Sequence, residues 1–384
     1  MVIQRAEVIR VLSDLVRIES VNPELVPGGS GEAVIAHYVA GFLKAAGLEV
    51  RLQEVGKNRF NILGTLRGHG GGKTLLLNGH LDTVGVAGMA EPFSARVENG
   101  RLYGRGAQDM KGGLAAALIA AAALAREPAL KGDLVITAVA DEEYRSAGTR
   151  AVLREGMKAD AAVVLEPTGL AVATAHKGFV WAEIETEGCA AHGSRPEEGV
   201  DAIARMGRVL GEVEQLQERL KARPCHPRLG WGSVHASLIS GGQELSSYPE
   251  RCRLSLERRL VPGEDAKAFE AELSDILARL SAADPRFRAH LSPGYSARPW
   301  ESPEDSLIVS TLAACVRHVL EREARFGATT FWTDAALLDE AGIPSVVFGP
   351  GGEGLHSAVE YVRLDEVVQG AETLVDCGRV FCGA

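Results

Sequence analysis

The chain has 384 residues, more than one hydrophobic core usually serves, so two domains are expected. With 46% hydrophobic and 24% charged residues it has the composition of an ordinary folded globular protein, which excludes a disordered or fibrous one. A formal net charge of -10 without a basic stripe argues against a nucleic-acid partner, and the longest small-apolar run, residues 114–125, falls short of the roughly 18 residues that a bilayer requires.

The first twenty residues mix charges into a helical apolar pattern and lack the uninterrupted apolar core of a signal peptide, so a cytoplasmic protein without membrane partners is expected. Six cysteines (Cys189, Cys225, Cys252, Cys315, Cys377, Cys382) form no CxxC pair and read as reduced packing residues. Residues 2–18 and 32–46 place apolar side chains at helical spacing, and Gly47 is a natural stop for the second helix. The stretch between them, 22–31, is rich in Pro and Gly and reads as a loop.

Residues 48–54 and 61–66 have strand character and lead into KTLLLNGHLDT, residues 73–83. Its apolar run describes a strand buried on both faces, ending in His80 and Asp82. In open α/β sheets ligands bind outside the carboxyl ends of the strands. With the i, i+2 spacing of extended backbone, His80 can face a metal while Asp82 orients the ring from behind. Taken alone, the motif is also a polar strand end with a solvated histidine.

A glycine-studded turn, GRLYGRGAQDMKGG (100–113), next delivers Asp109 to the start of an Ala-rich helix over 110–126. The apolar strand 134–140 runs into Asp141, Glu142 and Glu143, the strand 161–165 into Glu166, and the short strand 345–348 into a glycine loop and His356. Strands alternating with helices predict a mainly parallel sheet flanked by helices. From 178 to 291 the pattern changes to strand, helix, two strands, helix, strand, which predicts an inserted α+β layer of the ferredoxin-like type. The domains expected are therefore 1–177 with 292–384, and 178–291.

Each acidic strand end, taken singly, can simply cap a helix. Together, His80, Asp109, Glu142, Glu143, Glu166 and His356 fall on one edge of one sheet, where that many carboxylates need cations. Oxygen and imidazole donors without thiolates suit catalytic Zn, Co or Mn. The inventory allows two ions, with Asp109 bridging, His80 and Glu166 on one ion, and Glu143 and His356 on the other. Glu142 is then left to act as general base, because neighbours in extended backbone project to opposite sides.

In order and spacing, LNGHLDT, GRGAQDMKGG, DEEYRSAGT, LEPTG, AAHGSRPEEGVDAI and FGPGGEGLHSAVEYV resemble the dinuclear zinc metallopeptidases that include acetylornithine deacetylase, succinyl-diaminopimelate desuccinylase, aminoacylase and glutamate carboxypeptidase. The resemblance covers essentially the whole chain. It implies a zinc-peptidase-like catalytic domain with the same ligand set, a water activated by Glu142, a cis peptide after Asp109, and a lid domain that carries a homodimer contact. It further implies that His192 stabilises the oxyanion in the partner subunit's site and that Arg259 holds a substrate carboxylate. Ser247 and Tyr248 stand where relatives often have an Asn, so the resemblance does not carry over that residue's substrate-side hydrogen bond. His176, at the entry to the lid, is expected to be structural. The activity expected is hydrolysis of an N-acyl amino acid or small peptide bearing a free carboxylate, with two divalent ions, zinc first and cobalt or manganese as alternatives. A glutamate-carboxypeptidase-like enzyme and an inactive binding module of the same fold are the other readings.

Overall fold

In this computed structural model, which describes residues 3–86, 88–127 and 130–383, the chain divides into two units. The first comprises the chain up to Thr174, Ser302–Ala328 and the part from Thr333 onward; the second comprises Ala175–Glu301 and Thr329–Trp332. In chain order the elements are α1 (Arg5–Arg17), α2 (Ala33–Ala45), β1 (Glu49–Gly56), β2 (Arg59–Leu66), β3 (Leu75–His80), β4 (Arg96–Glu98), β5 (Arg101–Tyr103), α3 (Gly112–Leu124), β6 (Leu134–Val139), α4 (Ala147–Arg154), β7 (Ala161–Val164) and β8 (Val172–His176). There follow β9 (Gly178–Glu187), α5 (Ala202–Lys221), β10 (Ser233–Gly241), β11 (Arg251–Leu260), α6 (Ala266–Ala283), β12 (Arg288–Ala297) and β13 (Trp300–Glu301). The chain ends with α7 (Leu307–Leu320), β14 (Phe326–Thr329), α8 (Ala335–Glu340), β15 (Ser345–Val347), β16 (Gly352–Glu353), β17 (Tyr361–Arg363) and α9 (Leu364–Cys382). The helix expected from residue 2 begins at Arg5; Val2 itself lies outside the described residues.

The first unit is built on a sheet in the order β1-β2-β6-β3-β7-β15-β8. Its centre, β6-β3-β7-β15, is parallel, and antiparallel pairs flank it on both sides. The parallel strands β3, β6 and β7 are buried at every position, as their largely apolar sequences require. Their register is what matters for the site. His80 pairs with Val139 and Asn78 with Val164, so β3, β6 and β7 end almost level and release their next residues at one edge.

Helix α3 is buried on all sides and packs against α9, α1 and α2, which explains why it is composed of Ala, Gly, Leu and Ile with no polar stripe. Gly113, in its first turn, lies so close to the residue leaving β7 that an added Cβ would collide with the Leu165 carbonyl oxygen. A second, small antiparallel sheet, β4-β5-β17-β16, was not foreseen; its strands are two or three residues long and largely polar, too short to show a period.

The second unit has the predicted βαββαβ order and an all-antiparallel sheet, β10-β11-β9-β12. Alternate residues of β9 and β11 (Val180, Ala182, Ile184; Leu254, Leu256) pack against Met206, Val209 and Val213 of α5 and Phe269, Leu273 and Ile276 of α6. The boundary expected at 291 is corrected to 301. Strand β12 continues through an irregularity after Pro293 to Ala297, and Trp300 and Glu301 then pair with His176 and Ala175. His176 is fully buried against Trp300 and Trp332, at 5.3 and 6.0 Å between ring centroids.

Gly113→Ala should destabilise the protein by about 1–3 kcal/mol, the usual range for overpacking, because a helix turn and the strand exit before Glu166 must separate. Thermal unfolding of the metal-free variant checks this; an unchanged midpoint would contradict the close packing.

Candidate metal centre

The carboxyl edge of the parallel strands gathers residues from five segments. His80 is the last residue of β3, Glu142 and Glu143 follow β6, and Glu166 follows β7. Asp109 lies in a tight turn, 107–111, that precedes α3, and His356 lies between β16 and β17. The Asp109–Met110 peptide is cis. Asp109 is shared between two groups: its Oδ1 lies 3.1 Å from His80 Nε2, and its Oδ2 lies 3.3 Å from His356 Nε2. On the first side Glu166 Oε1 is 3.6 Å from His80 Nε2, and on the second Glu143 Oε2 is 3.3 Å from His356 Nε2. The carboxylate of Glu142 falls within 4.8 Å of both His80 and Glu166.

Two local expectations are corrected. Glu142 and Glu143 diverge because residues 142–145 form a turn, entered through Asp141 with φ of +68°, and not because the strand continues. The nearer partner of His80 Nδ1 is the main-chain oxygen of Asp82, at 2.9 Å, whereas the Asp82 carboxylate stands 3.7 Å away. That carboxylate is occupied elsewhere: it accepts the Glu142 and Glu143 N–H groups at 3.1 and 3.2 Å and the Asn22 side-chain amide at 2.8 Å. Asp82 therefore ties the turn that carries both glutamates to the exit of β3.

Several residues of this framework were not singled out by sequence reasoning. Asn22, from the Pro- and Gly-rich loop, also donates to Asp141 at 3.1 Å, and Arg59 joins Asp141 (3.1 Å) to Glu32 (2.8 Å). On the other side, Glu360 accepts N–H groups from Gly106, Gln108 and Asp109 at 3.0, 2.9 and 3.1 Å and pairs with buried Arg105 at 2.6 Å. Arg105 and Glu360 lie within the stretches GRGAQDMKGG and FGPGGEGLHSAVEYV that carry the resemblance, but nothing in their spacing marks them as a pair.

Burial of so many ionisable groups moves them in opposite directions. Burial, reinforced by their mutual repulsion, raises Glu142 and Glu166 well above the usual carboxylate range, and burial raises Asp82 to about 7. For Asp109, burial is outweighed by hydrogen bonds from His356 and His80, which hold it below that range. His356 rises to about 10 through its bonds to Asp109 and Glu143. For His80, burial lowers the value, but Glu166 and Asp109 overcome it and leave the ring well above the ordinary imidazole range. Glu143 Oε1 is buried without a hydrogen-bond partner. An orphaned carboxylate oxygen in a thiol-free set of imidazoles and carboxylates fits divalent metal ions, and the two sides of Asp109 provide for two.

The signature of peptidase family M20/M25/M40 matches residues 76–378. The chain belongs to this family. It is 32% identical over 359 residues to acetylornithine deacetylase of Myxococcus xanthus, covering 90% of this chain and 91% of the relative. It is 29% identical over 387 residues to N-formyl-4-amino-5-aminomethyl-2-methylpyrimidine deformylase of Halalkalibacterium halodurans, covering 92% and 90%. A dinuclear metal-binding peptidase of the M20 family from Bacillus subtilis has the same fold, with a TM-score of 0.74 and 15% identity over 98% of each chain. The chain is thus an M20 metal-dependent hydrolase of amide bonds. No helix among the described residues is long and apolar enough to cross a membrane.

The two remaining residues implied by the M20 resemblance lie in the second unit. His192 is exposed, its Nδ1 within 2.8 Å of Ser194 Oγ, and its backbone bridges to Ser247. Arg259 is partly exposed on the sheet face opposite the helices, bonded to Glu257 at 2.7 Å and set over Phe179. Arg258, on the helix side, is buried between Glu264 and Glu272.

Ion uptake by the M20 centre should release protons. The metal-free imidazoles are raised, so below those values they are protonated, and a divalent ion must displace the protons to reach the nitrogens. Affinity should therefore rise with pH and fall as pH drops. Calorimetric zinc titrations in buffers of different ionisation heat measure this, and uptake without net proton release would contradict it.

Proposed function

We propose that this enzyme removes the acyl group from an N-acyl amino acid or a small peptide with a free carboxylate, as a deacylase of the acetylornithine deacetylase kind. The carrying observation is the position of Asp109 between His80 with Glu166 and His356 with Glu143, with Glu142 left beside the first pair. The relative at 32% identity over 90% of the chain favours deacylation over carboxypeptidase action. His80, Asp109 and Glu166 would hold one divalent ion and Asp109, Glu143 and His356 the other, zinc by preference and cobalt or manganese in its place.

Bound there, such ions would polarise the scissile carbonyl and lower the pKa of water. Glu142 takes a proton from the attacking water and returns it to the departing amine, which also receives the proton of the new carboxylic acid, so the amide and water become a carboxylate and an ammonium. Asp82 keeps Glu142 in position through its backbone N–H. Arg259 holds the substrate carboxylate. His192 donates to the carbonyl oxygen as charge develops on it.

The enzyme acts as a homodimer through the second unit. Support comes from β10, an edge strand with Leu238 and Ile239 exposed, beside α5, on which Gly207 and Gly211 have open space above them. A groove of about 1140 Å³ runs between α5 and β10. His192 of each subunit serves the other's substrate.

Glu142→Gln should keep its metal and lose about a hundredfold or more in kcat, whereas Glu143→Ala should lose metal. Metal analysis of both variants decides; metal lost alike from both would refute the division of roles. A panel of N-acetyl, N-succinyl and N-formyl amino acids and dipeptides tests the substrate class, and turnover of dipeptides alone would overturn deacylation. Mixed dimers of Glu142→Ala and His192→Ala should regain activity at one of their two sites. Verified subunit exchange without recovery would place His192 in its own subunit's site.

A further inference from the structure

Outside the ligands themselves, the first unit buries a fully hydrogen-bonded charged pair, Arg105 with Glu360. Both side chains are about 1% exposed. Arg105 gives each of its three nitrogens a different acceptor: Nε donates to the Gly85 carbonyl at 3.0 Å, Nη1 to Glu360 Oε2 at 2.6 Å, and Nη2 to the Ser357 carbonyl at 3.0 Å. Glu360 uses both oxygens. Oε2 also accepts the Gly106 N–H at 3.0 Å, and Oε1 accepts the N–H groups of Gln108 and Asp109 at 2.9 and 3.1 Å. Its main-chain oxygen takes the Gly104 N–H at 3.1 Å.

These contacts fall on the loops that bear two ligands. Asp109 and His356 sit in loops leaving β5 and entering β17, and Tyr103 and Tyr361, at the ends of those neighbouring strands, are directly paired. Glu360 fixes the backbone of Asp109, and Arg105 fixes the residue that follows His356. By contrast His80 and Glu166 come from β3 and β7, whose ladders hold them without the pair.

We infer that Arg105 and Glu360 are positioning residues that set the Asp109–His356 spacing and so govern the ion held by Asp109, Glu143 and His356, while leaving the other ion largely alone. Two of that ion's three ligands hang on the pair; only one of the three on the other side does. A glutamine at 360 has a single acceptor oxygen, so its amide would face backbone N–H groups donor to donor, and the 105–109 turn must shift. Residues that orient ligands in this way typically change metal affinity by about 10–100-fold.

The proposal rests on the two-ion reading, and titration of Zn(II) against a chelating dye separates the two. In wild type, two binding steps are expected. Glu360→Gln should weaken one step about tenfold or more and leave the other within about threefold, with Glu360→Asp, which keeps the charge, lying between. His356→Ala marks which step is affected. In Glu360→Gln/His356→Ala the loss at that step should fall short of the product of the two single losses. If Glu360→Gln fails to fold by circular dichroism, Arg105→Lys, which keeps the cation but loses the fork, is titrated with the same expectation. Both steps weakened in parallel, with a lowered unfolding midpoint, would make the pair merely structural and overturn the proposal, as would two unchanged steps. Wild type taking up a single ion would instead defeat the two-ion reading beneath it.

Discussion

Acidic side chains crowded around one imidazole repel each other, and the first unit is organised around containing that repulsion. Asp109, Glu142, Glu143 and Glu166 converge where water is largely excluded, which makes each charge more costly than at a surface. In the metal-free chain the compensation is local: two raised imidazoles on either side of Asp109, and backbone N–H groups aimed at Asp82 and Glu360. A divalent ion on each side of Asp109 would replace protons with stronger charge compensation, so this crowding would favour metal binding.

Containment is achieved by different means on the two sides of Asp109. The His80 and Glu166 side is a consequence of the sheet. Strands β3, β6 and β7 are parallel and nearly level at their ends, so residues following them meet without further support. The His356 side depends on irregular backbone, with His356 itself at φ of +59° and its imidazole about half exposed. Such backbone persists only where surrounding contacts over-determine it. The buried Arg105 fork and the small four-stranded sheet supply those contacts.

Much of this was legible in the sequence because it follows from strand ends. Largely apolar runs identify β3, β6 and β7, and the candidate ligands His80, Glu143 and Glu166 lie at or just beyond their ends. The supporting residues were not legible, for two physical reasons. Arg59, Glu32, Arg105 and Glu360 are charged residues, which a reading by polarity assigns to the surface, yet all are buried in pairs. The small sheet that carries His356 consists of strands too short for a period-2 pattern, so the loop looked like a simple glycine turn. The lid boundary was missed because β12 contains Pro293 and Gly294, residues that usually end a strand but here mark an irregularity within an edge strand.

Adjacent charged residues show how local backbone decides which member of a pair becomes available. In β11, true strand geometry sends Arg258 to the helix side, where Glu264 and Glu272 neutralise it, and Arg259 to the open face, where its guanidinium retains partial exposure beside Glu257 and Phe179. Glu142 and Glu143 diverge in a similar way through a different geometry. They lie in a turn whose two N–H groups are gripped by the two oxygens of Asp82, so the side chains fan out toward different imidazoles. Sequence spacing alone predicts divergence in both places, but only in the strand for the right reason. In the turn, the divergence depends on Asp82, and that gives this residue, whose carboxylate is not the nearest partner of the His80 ring, its hold on both glutamates.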